Sequence, residues 1–454
     1  GGAAWAWRII RAAAPGTKKA RVGAAACSVA AMQERADVVV IGAGAAGRSA
    51  ALAARGALSG DGAFAPVDGG RDVLLDDFTT DVPHALRSIL REMPPAAVRR
   101  FFADRGVRLR PEPIGKLFPA EGRARDVLGA LFDAAAAAGV RTRFGRPVER
   151  VERTGDGWTV DGVAARRGIV ATGGKSGPKT GSTGFGYDVA AAVGHGIVPP
   201  VPALAPLTAQ LGEALAGITL PAILTVVDAA GREEARAAGS LLFTHRGVSG
   251  PAALDVSGAF ERALADGRPV RVLADLWTLA AWGGPWSAYL DLAKAPGSCL
   301  AKPPRPGAPE DVERAILEAA SHGSRRQLGT LLTNRLPRRV VEVLVPAADR
   351  QLSQLTREER RQAAEAVTRL DLRATGSEGF AKAEVTAGGV SLRELDRRTL
   401  ESRLAPGLHF CGEVCHVTGR LGGFNFQWAW SSGYLAGRAC APLGRTPALT
   451  NSDS

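Results

Sequence analysis

Gly42-Ala43-Gly44-Ala45-Ala46-Gly47 is the group of residues in this 454-residue chain whose types and spacing most directly suggest chemistry. In a G-x-G-x-x-G run the first glycine permits a tight turn and the second lets a pyrophosphate approach the backbone. The third allows a helix to pack against the strand before it. The N–H groups of Ala45, Ala46 and Gly47 would open that helix, offering unpaired donors and partial positive charge to phosphates. The simpler alternative is a tight strand-to-helix turn. A second glycine group, Thr172-Gly173-Gly174, supplies small residues and free backbone where another loop can close over a ligand.

Both groups need strands to hold them. Val38 to Ile41 are β-branched and continuous, as a strand buried on both faces requires. An Ala-rich helix is predicted over 47–57, and Asp72-Val-Leu-Leu-Asp76 reads as a short strand after a Gly/Pro loop at 59–70. Helices are predicted over 94–105 and 126–138, strands over 148–153, 158–161 and 167–171. From Pro199 the texture changes: strands at 223–227, 241–244 and 270–273, a Pro-rich loop at 294–310, and helices at 311–321, 324–335, 338–344 and 357–370. Strands return at 383–386 and 407–412, and a last helix runs from near Gly423 to Ala439. The expected fold class is α/β, with a nucleotide-binding domain split between 36–200 and 380–442 and a substrate domain, 201–379, inserted between.

The net charge of +12 is unevenly spread. Residues 1–35 hold six Arg or Lys against one Glu, leaving +7 on the body. That Ala/Gly/Arg-rich, acid-poor leader has the composition of an organelle transit peptide, chloroplast or mitochondrion. A disordered leader is the alternative. The body charge permits an RNA or anionic substrate without demanding one. No apolar run reaches the ~18–20 residues that span a membrane. Five scattered cysteines argue against a disulfide framework. The six histidines never join them at zinc spacing, so no metal site is expected.

At Ala171-Thr-Gly-Gly-Lys-Ser-Gly-Pro-Lys-Thr-Gly-Ser-Thr-Gly184 the chain resembles a known family, the BaiN/YhiN-type flavoproteins, also called aminoacetone oxidase family FAD-binding enzymes. Further similarity lies in Leu241-Leu-Phe-Thr-His-Arg-Gly-Val-Ser-Gly-Pro251, Gln327–Leu332, Leu336–Arg339 and Val385–Val390. The closing match is Gly412-Glu-Val with Gly419-Arg-Leu-Gly-Gly-Phe-Asn-Phe-Gln-Trp-Ala429. The resemblance implies a Rossmann-like FAD-binding domain, discontinuous in sequence, carrying an inserted β-barrel-like and helical region. It also implies oxidoreductase chemistry; activities assigned to members include reducing conjugated C=C bonds in steroid-like molecules and in a uracil ring of ribosomal RNA.

The residues fit a flavin on their own terms. Glu413, after Gly412 at a strand end, is a carboxylate able to hold ribitol or ribose hydroxyls. Gly422-Gly423-Phe424-Asn425 opens a helix whose N–H groups can face a flavin pyrimidine ring. A helix N-terminus stabilises negative charge there by roughly 0.3–1 kcal/mol, up to ~2 when partly buried. Packing alone is the alternative.

Two departures from the family pattern stand out. Only 21 residues separate Gly47 from Gly69, where the family has a second strand ending in an acid and a longer glycine-rich loop. Asp68-Gly-Gly-Arg-Asp72 resembles a remnant of that loop, and Asp76 replaces the ribose carboxylate only if 72–76 takes the second-strand position. Otherwise a segment is missing. The second departure is Cys415-His-Val-Thr418, where the family usually shows an acidic residue near Thr418.

Saturating a conjugated C=C bond takes a hydride at one carbon and a proton at the other. His245, Arg246 and Lys179 are the candidate proton donors or carbonyl polarisers; for His245 a hydrogen-bonded structural histidine is the competing reading. Cys411 and Cys415 lack C-x-x-C redox spacing. No second G-x-G-x-x-G follows a strand, so NAD(P)H would visit the flavin transiently. Three functions compete: a reductase of a small conjugated substrate, a flavoenzyme reducing a ribosomal RNA uridine, and a degenerate member without catalysis.

Overall fold

Val38–Ile41 do form the core of a strand, Arg35–Ile41, and Ile41 is fully buried at its end. The computed structural model describes residues 34–58, 75–111, 117–155, 157–281, 304–321 and 325–441. The leader up to residue 33, the loop at 59–70, the Asp68–Asp72 remnant, residues 294–303 and the tail lie outside them. The chain divides into two compact units, one of residues 1–200 and 385–454, the other of 201–384.

In the first unit, Arg35–Ile41 pairs in parallel with Val163–Val170, register Ile41 to Val170. Leu408–Phe410 joins the other side of that central strand, also in parallel, with Phe410 opposite Val170. The hairpin strands Val151–Thr154 and Gly157–Val160 complete the sheet beside the lower half of Val163–Val170. Three parallel strands therefore end at one level, each followed immediately by a glycine-bearing turn. Two helices cover the sheet, Ala45–Ala54 and the closing helix Phe424–Cys440, and they lie close together. A Cβ on Gly433 would sit 2.3 Å from the Ala46 carbonyl oxygen, and one on Gly437 2.1 Å from that of Ala50. Trp158, Ile169, Phe410 and Trp428 fill the core between. A second cluster, Leu52, Met93, Phe102, Leu131 and Tyr434, binds the helices Pro83–Glu92, Pro95–Ala103 and Ala124–Ala137 to the same layer.

One expectation fails here. Residues 75–77 form a 3-10 turn rather than the end of a strand, and the following strand Phe78–Thr80 pairs antiparallel with Val417–Gly419. It does not join the parallel sheet. Among the described residues Arg35–Ile41 pairs with Val163–Val170 alone. At this turn Asp77 is buried against Arg420, whose Nε donates to Asp77 Oδ1 at 2.6 Å from 343 positions along the chain.

The second unit is a seven-stranded sheet running as an open path, with the long antiparallel pair Thr219–Asp228 and Glu233–Thr244 at its centre. The helix Pro251–Ala265 packs on it through Ala252, Val256 and Phe260. Helices Pro309–Ser321, Arg338–Leu344 and Arg357–Thr368 bury Val312, Val340 and Val367 in the same core. Arg357–Thr368 starts in a capping box, Glu359 N donating to Thr356 Oγ1 at 3.2 Å. The helix expected over 324–335 is shorter, Leu328–Leu332; at its start Leu328 N and Gly329 N bond to the carbonyls of Arg350 and Ala348 instead.

Candidate functional site

The glycines of the first unit divide by role once their surroundings are measured. Gly42 has φ +113°, and a Cβ there would lie 2.2 Å from the Ala171 carbonyl oxygen. A Cβ on Gly47 would lie 2.0 Å from the Gly42 carbonyl oxygen. These two close the turn onto the neighbouring strand. Gly44 differs: nothing stands within 4 Å of a Cβ placed there, so its bare backbone faces open space. It precedes a ten-residue helix that has no side-chain cap, leaving the N–H groups of Ala45, Ala46 and Gly47 to a ligand.

The other two strand ends close around the same point. Gly412 has φ +77°, and its added Cβ would fall 2.6 Å from Ala46 Cβ. It is held there by Ser432 Oγ on its N–H, 3.0 Å, and by Trp428 Nε1 on its carbonyl, 2.9 Å. Glu413 follows on a short 3-10 turn, and its Oε1 accepts the Thr386 N–H at 2.8 Å. Thr386 Oγ1 in turn accepts the N–H groups of Lys175 and Ser176 at 2.8 and 3.0 Å. A Cβ on Gly174 would lie 2.5 Å from Glu413 Oε1, so the carboxyl is packed against the Thr172-Gly173-Gly174 loop. Burial pushes its pKa up to about 7, against a smaller opposing effect of the Thr386 bonds.

Among the described residues, buried polar atoms with no hydrogen-bond partner include Thr172 Oγ1, beside Gly173, and Thr418 Oγ1 and Arg420 Nη2, in and just after the strand Val417–Gly419. The orphaned Thr172 hydroxyl in the glycine turn after Val163–Val170, with the open backbone at Gly44, fits a ligand rich in hydroxyls, carbonyls and phosphate, which describes FAD. At the start of the closing helix, Gly423 has φ +90°. Asn425 ties the preceding loop shut by bonding Gly419 N and O at 2.8 and 2.7 Å. Asn425 is thus occupied by its own backbone, while Phe424 is buried edge-on against Phe78. Gly422 is pressed on the Phe424 ring, 2.7 Å from its added Cβ.

The remaining sequence candidates fall elsewhere. Asp76 is exposed on the 3-10 turn, away from the second-strand position on which its ribose role depended. Its neighbour Asp77, 1% exposed, binds Arg420 Nε at 2.6 Å. Lys179 is exposed on the short turn Pro178–Thr180. His245 and Arg246 form the exposed tip of a hairpin in the second unit, joining Glu233–Thr244 to Gly247–Ser249. Arg246 pairs with Glu378 at 3.5 Å. The glycines beside them are architectural, Gly247 lying 2.2 Å from Leu207 O and Gly250 2.5 Å from Ser240 O by added Cβ.

Two arrangements escaped sequence reading. His195 bonds Glu394 through Nδ1 at 2.7 Å and Ser402 through Nε2 at 2.8 Å. Its order mimics a nucleophilic triad, yet Ser402 is buried and its Oγ already accepts the N–H groups of Leu404 and Ala405. It locks a loop. The other is Arg48, a buried cation on the glycine-turn helix. Cys411, Cys415 and Cys440 are buried free thiols whose pKa values burial raises, which keeps them protonated. Among the described residues no group of three His, Cys, Asp or Glu is placed to hold a metal, and no helix is long and apolar enough to cross a membrane.

Glycine turns at the carboxyl ends of adjacent parallel strands, with a carboxyl packed beside them, define a Rossmann-type dinucleotide-binding flavoprotein domain. Comparison with known proteins agrees. Residues 69–439 match the family described as HI0933-like protein Rossmann domain, and the chain belongs to that family. The match begins beyond Gly42–Gly47. A ribosomal RNA dihydrouridine synthase of Escherichia coli (strain K12) is 30% identical over 90% of this chain and 98% of the relative. A 3-dehydro-bile acid delta(4,6)-reductase of Clostridium scindens is 29% identical over 79% of this chain and 83% of the relative. Among solved structures, an open flavocytochrome c3 fumarate reductase covers 90% of this chain and is itself covered over 78%, at 17% identity and TM-score 0.39. The family is that of FAD-binding oxidoreductases, as the sequence resemblance implied.

Proposed function

We propose that this protein is an FAD-dependent reductase that saturates a C=C bond conjugated to a carbonyl. The observation that carries the reading is the convergence of Gly44, Gly174 and Gly412-Glu413 at one set of strand ends, in a chain of this family. The two relatives' names share one chemistry, since a dihydrouridine and a reduced delta(4,6) bile acid both follow from adding H2 across such a bond. FAD, when bound, supplies the hydride carrier. The chain's own residues do the rest: the backbone of Ala45–Gly47 binds phosphate, Glu413 and the orphaned Thr172 and Thr418 hydroxyls orient the ligand, and a nearby donor delivers the proton. Lys179, His245 and Arg246 remain the donor candidates, and NAD(P)H the transient reductant.

A uridine of ribosomal RNA is the second reading for the substrate. It is favoured by the match to nearly the full length of the E. coli relative and by the basic body of the chain. The acid-poor leader further supports an organellar location. The visible spectrum of the purified chain comes first. Flavin bands that bleach on adding NADPH or NADH support the reductase, and a colourless protein taking up no FAD would remove it in favour of a degenerate member. Turnover of a conjugated enone against formation of dihydrouridine in added ribosomal RNA then separates the two substrates.

A further inference from the structure

Arg48 is the fourth residue of the helix Ala45–Ala54 and is 6% exposed. Its side chain turns back towards the helix start, as Cβ directions in helices dictate, and Nε donates to the Ala43 carbonyl oxygen at 2.8 Å. The guanidinium lies 3.7 Å from the centre of the Phe132 ring. Among the described residues no carboxylate is paired with it. A carbonyl and a ring face carry only partial negative charge, so among the described residues this largely buried cation meets no full counter-ion. Such burial is costly, and burial accordingly depresses the Arg48 pKa. An apolar side chain would fill this place without that cost. The open Gly44 backbone and the uncapped N–H groups lie at the same turn.

We propose that Arg48 is the counter-ion of the dinucleotide's diphosphate, adding a fixed positive charge to a cradle otherwise made of backbone N–H groups. The inference rests on the FAD reading above. It also gives binding free energy a new source at the diphosphate, where the described residues hold no second-strand carboxylate for the ribose. Arginine suits the place because its planar fork matches phosphate oxygens and stacks on an aromatic face.

The test uses the full chain stripped of flavin, titrated with FAD, ADP and riboflavin, for the wild type, Arg48→Met and Arg48→Lys. Arg48→Met is expected to weaken FAD and ADP at least about tenfold, the scale of one charge-assisted contact, and to leave riboflavin, which has no phosphate, unaffected. The flavin-free Met variant should melt no lower than the wild type, because an uncompensated charge has gone. Arg48→Lys should fall between, and wild-type FAD affinity should drop with salt. FAD affinity in Arg48→Met equal to wild type overturns the proposal, as does a lower melting temperature with unchanged affinity, which would make Arg48 a packing residue. If Arg48→Met fails to fold, FAD binding that is indifferent to salt and to Arg48→Lys overturns it. A wild-type chain that binds no FAD sinks the cofactor reading itself and this inference with it.

Discussion

Glu413 and His409 lie four residues apart, and their burial acts on stability with opposite sign. The Glu413 carboxyl is raised from an ordinary 4.5 to about 7, so its contribution is present below pH 4.5 and lost as pH rises through 7. The loss is on the order of 3 kcal/mol. Glu413→Gln should flatten that slope, with urea melts at pH 5 and pH 8 as the check; an unchanged slope would clear Glu413 of the effect. His409, beside Cys440 in the core, is lowered from 6.5 to about 4 by burial. Its contribution is present above pH 6.5 and lost as pH falls through 4. His409→Gln should therefore reduce acid destabilisation in that lower window alone. Neither sign was legible in the sequence, because a glutamate after a glycine and a histidine in a short strand carry no mark of what will surround them.

At the scale of elements, the three glycines of one motif make separable predictions. Gly42→Ala and Gly47→Ala place a methyl within 2.2 Å of backbone oxygen and should cost stability outright, about 1–3 kcal/mol or more in the flavin-free protein. Gly44→Ala meets nothing in the protein, so the flavin-free melting temperature should hold while FAD affinity falls. Equal melting losses at all three positions would deny Gly44 a ligand role. The closing helix offers a parallel case. Gly433 and Gly437 let it approach the helix Ala45–Ala54 so closely that Gly437→Val should destabilise by several kcal/mol, measured by denaturant unfolding. The four-residue glycine spacing in Ser431-Ser-Gly-Tyr-Leu-Ala-Gly437 is a signal that sequence reading passed over; it advertises close helix contact but does not say with which partner.

For the whole molecule, the charge of +12 bears on substrate class. If ribosomal RNA is the substrate, retention of RNA on the protein should fall steeply, tenfold or more, between about 50 and 200 mM salt, because phosphate contacts release counterions. Filter binding across that range checks it, and no retention at the lower salt would favour the small conjugated substrate. Much of this molecule was determined by sequence alone. A β-branched run entering G-x-G-x-x-G, a second strand ending in Thr172-Gly-Gly, and Gly412-Glu after a third are local signals: each glycine is demanded by backbone approach within a few residues of a strand end. The family follows from Ala171–Gly184 and Gly412–Ala429 together with motifs elsewhere in the chain, Leu241–Pro251, Gln327–Leu332, Leu336–Arg339 and Val385–Val390. What only the tertiary structure decided depends on contacts distant in sequence. Asp77 rather than Asp76 turns inward because Arg420 meets it from 343 positions away. His245 and Arg246 sit on an exposed hairpin tip, closed by Thr244 opposite Gly247, whose bare backbone lies against Leu207. Arg48 is buried because Phe132 closes over it. Periodicity and turn chemistry report the neighbours along the chain; burial, and with it charge cost and pKa, is set by neighbours that only folding brings.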